Sequence, residues 1–279
     1  MPNVAFINGV FVPMAEAKVS IEDRGFQFGD GVYEVIRTYN GRPFALETHL
    51  ARLDRSATAL DLTQPYSHAE WTSRVLEGVK QAAYPEAKIY IQVTRGVAPR
   101  DHAYSAEATP TVVMTVREFQ PLARSLHAAG VDAMTIEDIR WGRCDIKSVN
   151  LLANVLARQR VKQAQVFEAI LVKAGLVTEG AVSNVMVVQK GTVVTAPEGS
   201  RILSGVTRDI VLNLALNEGL RVEERFVSQA DLYEADEVFL TGTTVEVLAV
   251  VRIDGKVIGE GRPGPITQRL AVGFTGRVN

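Results

Sequence analysis

The chain has 279 residues, enough for one large domain or two of about 120 to 150 residues, each able to bury a core. Apolar content of 47%, charged content of 22% and a net charge of -2 are those of an ordinary globular protein and give no reason to expect nucleic acid or an acidic membrane as partner. No run approaches the ~18 apolar residues of a membrane span, the N-terminus lacks a signal-peptide pattern, and a lone cysteine, Cys144, excludes an internal disulfide and a thiolate metal cluster; the expectation is a cytoplasmic protein with no resident metal, acting on a small molecule.

In chain order, residues 4–12 alternate in strand fashion around Asn8-Gly9, a strong hairpin signal. Residues 23–31 hold three glycines and two aspartates and predict a constrained loop. It feeds a strand over 33–39 that ends at Asn40-Gly41, so Tyr33 stands at a loop-to-strand junction. Thr48 predicts the cap of a helix to about residue 60, with His49, Arg52 and Arg55 on one flank, where a solvated face is the usual outcome. Ser67-His68-Ala69-Glu70 is a capping box opening a second helix to about residue 83. A strand over 88–94 then empties into Arg95-Gly96 and on to Arg100-Asp101-His102. In extended backbone Arg100 and His102 point the same way and suit a carboxylate ligand, although a loop ion pair with Asp101 explains them equally. After a strand over 111–116, the Pro121 region reads as a connection, giving domains of 1–119 and 126–279 joined by 120–125.

The second half opens with a strand over 131–140 and then Arg140-Trp-Gly-Arg-Cys-Asp-Ile-Lys147-Ser-Val-Asn150. Ser148 and Asn150 favour a helix start, which predicts a helix over 150–165 with Leu152, Val155 and Leu156 on its buried side. A lysine just before a helix N-terminus, where the dipole disfavours extra positive charge, is a candidate nucleophile toward carbonyls; a solvated loop lysine is the alternative. Cys144 reads as packing rather than as a nucleophile. Strands over 167–172 and 185–194 turn at Ala174-Gly175 and Lys190-Gly191. Between them Glu179 is either a buried carboxylate that needs a cation or a solvated turn residue. Gly205-Val206-Thr207 opens a helix to about residue 217 and is a general anion-binding start. A strand over 238–240, the hydroxyl-rich turn 241–244 and a hairpin at Asp254-Gly255 follow.

An amine, an acidic partner, several anion-binding features and a possible carboxylate clamp are what pyridoxal phosphate and an amino acid require together. The long runs 22–35 (Glu-Asp-Arg-Gly-Phe-Gln-Phe-Gly-Asp-Gly-Val-Tyr-Glu-Val), Val93-Thr94-Arg95-Gly96 with Arg100-x-His102, Asp138-Ile139-Arg140-Trp141 with Arg143 to Ser148, and Val177-Thr178-Glu179-Gly180 resemble the fold-type IV pyridoxal phosphate enzymes, and within them the D-amino-acid aminotransferase branch. The resemblance covers essentially the whole chain. It implies an α/β (α+β) fold of two domains with the cofactor in the interdomain cleft.

It also implies that Lys147 links to the cofactor and shuttles the proton, that Glu179 holds the ring nitrogen protonated, and that Leu203 packs on the ring. Arg52, Gly205, Val206, Thr207 and Thr243 would bind the phosphate. Tyr33, Arg100 and His102 would trap the substrate carboxylate, the last two reaching in from the other subunit of a homodimer. The implied reaction is reversible ping-pong transfer of an amino group from a D-amino acid (D-alanine, D-glutamate) to a 2-oxo acid (2-oxoglutarate, pyruvate). An aminodeoxychorismate-type lyase, a branched-chain or R-selective amine aminotransferase of the same fold, and a non-catalytic binding module are the alternatives. The chain departs from the family pattern at Phe26, at Ala181-Val182 and at Gly242, where a phosphate-binding serine is usual.

Overall fold

The computed structural model describes residues 3–105 and 108–278. The chain divides into two compact units. The first runs to Gln120 and takes in Ile146–Asn150; the second comprises Pro121–Asp145 and the chain from Leu151 onward.

The first unit begins with the expected hairpin, β1 (Val4–Ile7) and β2 (Val10–Pro13), turned by Asn8 and Gly9 at positive φ. The glycine-rich run is not a plain loop as expected. It holds a one-turn helix, α1 (Arg24–Phe28), because Asp23 caps the Gly25 amide and Gly29 closes the turn in the left-handed region. There follow β3 (Gly31–Tyr39), β4 (Arg42–Pro43), α2 (Leu46–Thr58), α3 (His68–Ala82), β5 (Ala87–Thr94) and β6 (Thr111–Glu118). The strands form one sheet in the order β2-β1-β6-β5-β3-β4, antiparallel at every pairing.

Helices α2 and α3 pack on this sheet through Leu50, Leu53 and Ala57, and through Trp71, Val75 and Val79, at the spacing of one helical face. The Ser67–Glu70 capping box is present. Thr48, however, lies inside α2, which starts from Ala45 without a side-chain cap. Along β3, Val32, Glu34, Ile36 and Thr38 are buried while Tyr33 and Val35 are half-buried on the opposite face. One acidic side chain is thereby forced inward.

In the second unit α4 (Arg124–Ala129), β7 (Val131–Glu137), α5 (Leu152–Ala164), β8 (Glu168–Lys173), β9 (Leu176–Gly180), β10 (Asn184–Gln189) and β11 (Thr192–Thr195) precede α6 (Val206–Asn217). Then come β12 (Arg221–Glu224), α7 (Gln229–Tyr233), β13 (Glu237–Gly242), β14 (Glu246–Ile253), β15 (Lys256–Val257) and α8 (Pro265–Val278). The sheet runs β12-β11-β10-β13-β14-β7-β8-β9, with β15 beside β14; β11/β12, β14/β7 and β7/β8 are parallel. Helices α6 and α8 pack on each other and on β13. The buried Glu237 carboxylate caps α8 by accepting from the amides of Ile266 (3.0 Å) and Thr267 (2.7 Å). The turns at Ala174-Gly175, Lys190-Gly191 and Asp254-Gly255 fall where expected, all at positive φ.

One packing expectation is overturned. Helix α5 buries Ala157 and Val161, whereas Leu152, Val155 and Leu156 are 72%, 58% and 50% exposed. Ala157 and Val161, at i, i+4, face β7 and β8, and Leu152, Val155 and Leu156 are turned outward.

The loop after β5 has a narrow neck. Gly96 sits at φ +95°, and a Cβ there would lie 1.8 Å from the Thr109 carbonyl oxygen, so only glycine fits. Gly96→Ala should destabilise the protein by about 1–3 kcal/mol, read as a lower denaturant midpoint at unchanged slope. An unchanged midpoint would show that the neck relaxes freely.

Candidate active site

Lys147 is placed by β3 rather than by a helix. Helix α5 begins five residues later, at Leu152, and belongs to the other unit, so the expected helix-start setting is absent. Instead residues 147–149 pair with the start of β3: the Tyr33 amide donates to the Lys147 carbonyl (3.0 Å) and the Val149 amide to the Gly31 carbonyl (3.0 Å). The Lys147 amide donates to Ser56 Oγ on α2 (3.1 Å). Ile146 is buried in the core beneath, and Asn150 donates its side-chain amide to the Gly29 carbonyl (3.0 Å). The Lys147 amine itself lies over the ring of Tyr33, 4.4 Å from its centre. Backbone pairing, a side-chain clamp and a buried neighbour therefore aim this amine, and Tyr33 shares its location.

His49, Arg52 and Ser56 recur at i, i+3, i+7 on the buried face of α2. The expectation of a solvated flank holds for Arg55 and fails for His49 and Arg52. The cause is Glu34, the inward acid of β3, which has no exposed surface. Its carboxylate accepts from Arg52 Nε (2.7 Å) and Nη2 (2.9 Å) and from His49 Nδ1 (2.8 Å). Burial alone would raise the Glu34 pKa, but the charge and hydrogen bonds of Arg52 outweigh it and hold the group far below the usual carboxylate range. Burial lowers His49 below its ordinary value against the pull of Glu34.

The loop carrying Arg100 and His102 is held from behind. Arg24 of α1 donates to the carbonyls of Asp101 (2.5 Å) and His102 (3.1 Å) and to Asp30 Oδ2 (2.8 Å). Asp30 is shared with Arg95 at 2.9 Å and 3.1 Å. Burial opposes the ionised form of Asp30, yet the two guanidinium groups pull its pKa down. Asp101 is thus anchored through its backbone, and Arg100 and His102 are exposed beside Phe28. The Arg100 guanidinium lies 4.6 Å from that ring's centre and the His102 ring 5.4 Å.

In the second unit Glu179 is a buried strand carboxylate, as one of its two readings required. It accepts from Asn184 Nδ2 (2.9 Å), from the Leu203 amide (3.1 Å) and from Arg140 Nη1. Arg140 also forks onto Asp138, through Nε (2.9 Å) and Nη2 (2.8 Å). Thr178 Oγ1 donates to Asp138 at 2.9 Å. Burial would lower the Arg140 pKa, but its two acidic partners push it well up; burial would raise Asp138, but Arg140 brings it down. Cys144 is half-buried, and burial pushes its thiol up to about 11, which agrees with a packing role.

Asn184 joins the acid to the anion-binding start: the same amide reaches the Leu203 carbonyl (2.9 Å). A Cβ on Gly205 would lie 1.9 Å from Asn184 Oδ1, so close approach fixes glycine there. Helix α6 then starts at Gly205 without a side-chain cap, leaving first-turn amides available to an anion. Thr241 of β13 stands opposite Asn184 and so shares its face; its hydroxyl is fully buried with no hydrogen-bond partner. Thr243 follows in the turn. Within the second unit, a buried carboxylate, an uncapped helix start and an unsatisfied hydroxyl are groups that fit a phosphorylated, nitrogen-bearing ring; the first unit by itself carries the Lys147 amine beside Tyr33, and Arg52. Sequence reasoning missed Glu34, Ser56, Asn184, Asp138 and Arg140 as partners. Only Glu34 had a signal, an acid at an inward position of an alternating strand.

Residues 31–253 match the model of amino-transferase class IV. The D-alanine aminotransferase of Bacillus licheniformis is 48% identical over 263 residues, covering 94% of this chain and 93% of that one. Among solved structures, the branched-chain amino acid aminotransferase of Escherichia coli superposes with a TM-score of 0.92 at 29% identity, over 99% of this chain and 94% of that one. The T.th. branched-chain amino acid aminotransferase with pyridoxamine 5'-phosphate gives 0.88 at 29%, over 100% and 94%.

The Glu34 pair makes a pH prediction. Its folded pKa lies below the ordinary 4.5, so its contribution is complete above that pH and is lost as pH falls below it. Glu34→Gln, which strands the Arg52 charge, should lower stability by about 3–5 kcal/mol near neutrality. The Tm gap to wild type should narrow on acidification to about pH 3; a gap that stays constant would show that the charge of Glu34 does not carry the effect.

Proposed function

The chain belongs to the class IV aminotransferases, enzymes of the fold-type IV architecture that work with pyridoxal phosphate, and from that premise we propose that it transfers the amino group of D-alanine to 2-oxoglutarate. The observation that carries this reading is the pairing of Lys147 with the start of β3 beside Tyr33, in a chain 48% identical to a D-alanine aminotransferase.

When bound, pyridoxal phosphate supplies an aldehyde for the amino group and a ring that accepts the electron pair left at the substrate Cα. Lys147 would hold the cofactor through its aldehyde carbon, and its amine would carry the proton from the substrate Cα to that carbon, C4′, so that the amino group stays on the cofactor. Glu179, oriented by Asn184 and the Leu203 amide, keeps a proton on the ring nitrogen, while Leu203 packs against the ring. Arg52, Gly205, the amides of Val206 and Thr207 and the Thr243 hydroxyl hold the phosphate. The buried Glu34 fixes the Arg52 fork from behind.

Tyr33, Arg100 and His102 bind the substrate carboxylate, Arg100 and His102 from a second copy of the chain. Holding these two side chains outward from a loop anchored by Arg24 suits delivery to a neighbour. Leu152, Val155 and Leu156, exposed together on α5, are the kind of apolar surface that a second copy covers. No helix among the described residues is long and apolar enough to cross a membrane, and we place the enzyme in the cytoplasm.

Three experiments test the reading. A panel of D-alanine, L-leucine and an R-amine, each followed by loss of the visible band of the loaded enzyme, should show the fastest change with D-alanine, and adding 2-oxoglutarate should yield D-glutamate. Arg100→Ala should raise the KM for D-alanine by about tenfold or more, a hydrogen-bonded ion pair being worth ~1.5–3 kcal/mol, with cofactor uptake unchanged. Fastest reaction with L-leucine would replace the D-specific assignment by a branched-chain one. The paired change Leu152→Glu and Val155→Glu should convert a dimer to a monomer in light scattering; a wild type that already runs as a monomer would remove the shared-site assignment.

A further inference from the structure

Among the motifs that mark this chain, Asp138-Ile139-Arg140 has no part in the roles above, yet the Asp138 side chain is more buried than that of Glu179 and the Arg140 side chain nearly as buried. Exposure of the side chains is 2% for Asp138, 9% for Arg140 and 7% for Glu179. Arg140 lies between two carboxylates. It gives Nη1 to Glu179, and Nε and Nη2 to Asp138, and its backbone amide also donates to Asp138 (3.1 Å). Asp138 is held in turn by the hydroxyl of Thr178, the residue next to Glu179 in β9.

Two negative groups and one positive group leave a single net negative charge in this trio. A lone Arg140 facing Glu179 would leave none, and Glu179 would then have little attraction for a proton. At the low effective dielectric of a buried site, one unit of charge at this range changes a proton affinity strongly.

We propose that Asp138 and Arg140 are positioning residues that set the charge Glu179 presents to the ring nitrogen of the cofactor: Arg140 fixes the carboxylate's direction, and Asp138 cancels the cost in charge of doing so. This rests on the reading that Glu179 meets that nitrogen. It assigns to the Asp-x-Arg motif a function at a distance, with neither residue required to touch the cofactor.

The experiment uses full-length protein loaded with pyridoxal phosphate carrying 15N in the ring, and reads the ring-nitrogen resonance near neutral pH. Wild type should show the protonated position. Asp138→Asn, with a net charge of zero in the trio, should move the resonance toward that of unprotonated pyridine, and Arg140→Gln, with a net charge of minus two, should leave it protonated. The double variant restores a single negative charge and should return to the wild-type position, which a purely structural role would not produce. Two single variants that move the resonance the same way, or a double variant further displaced than either, would overturn the proposal. Where Asp138→Asn does not fold, Asp138→Ser takes its place as a smaller neutral side chain. Glu179→Gln separates the two layers: if it leaves the resonance unmoved, the assignment of Glu179 itself fails, whereas movement with Glu179→Gln and none with Asp138→Asn rejects only the role of Asp138.

Discussion

Glu34 has no exposed surface, and a carboxylate at that depth is tolerated only if hydrogen-bonded to a cation. Much of the first unit's chemistry follows from meeting this requirement. The cation must come from α2, so α2 must turn Arg52 and His49 toward β3. With the helix in that phase, Ser56 arrives one turn later, where it takes the amide of Lys147. The same strand whose inward side holds Glu34 holds the backbone of Lys147 along its first residues. A single buried charge thereby fixes the phase of a helix, and the helix and strand together fix the lysine.

The second unit meets the same constraint differently. Glu179 and Asp138 both lie inward and share one guanidinium, so the protein balances the group of charges rather than pairing each acid separately. Asn184 then couples this group to the start of α6. Its side chain occupies the space a Cβ at Gly205 would need, and it reaches both Glu179 and the Leu203 carbonyl. The acid and the anion-binding helix start thus share one side chain, and displacement of either is felt by the other.

Strand and turn positions were largely legible in the sequence because they are written locally: Asn8-Gly9, Asn40-Gly41, Lys190-Gly191 and Asp254-Gly255 each carry the turn residues the backbone demands. The capping box at Ser67 is equally local. What escaped was decided at long range. Thr48 looked like a cap, but α2 starts at Leu46 on the terms of its apolar face. Leu152, Val155 and Leu156 read as a core stripe by periodicity, whereas α5 turns Ala157 and Val161 to its sheet instead. The helix-start explanation for Lys147 failed for the same reason, since its partners, Tyr33 and Ser56, lie far away in the sequence. The candidate site residues themselves were legible chiefly through long motif resemblance; their supporting partners Ser56, Asn184 and Arg140 become visible only when strands from distant parts of the chain are laid side by side.

The stretch Ile146–Asn150 belongs to the first unit while the residues on both sides of it belong to the second. The polypeptide therefore passes from one unit to the other three times, and Lys147 lies on the shortest of the segments so delimited. This makes the two units inseparable as genetic modules. A fragment ending at Gln120 would lack the segment that pairs with the start of β3 and fills the core with Ile146, and the complementary fragment would carry Lys147 without the strand and the serine that hold its backbone. Recombination between relatives at the apparent boundary would likewise split the lysine's segment from the strand it pairs with, so the two are bound to change together.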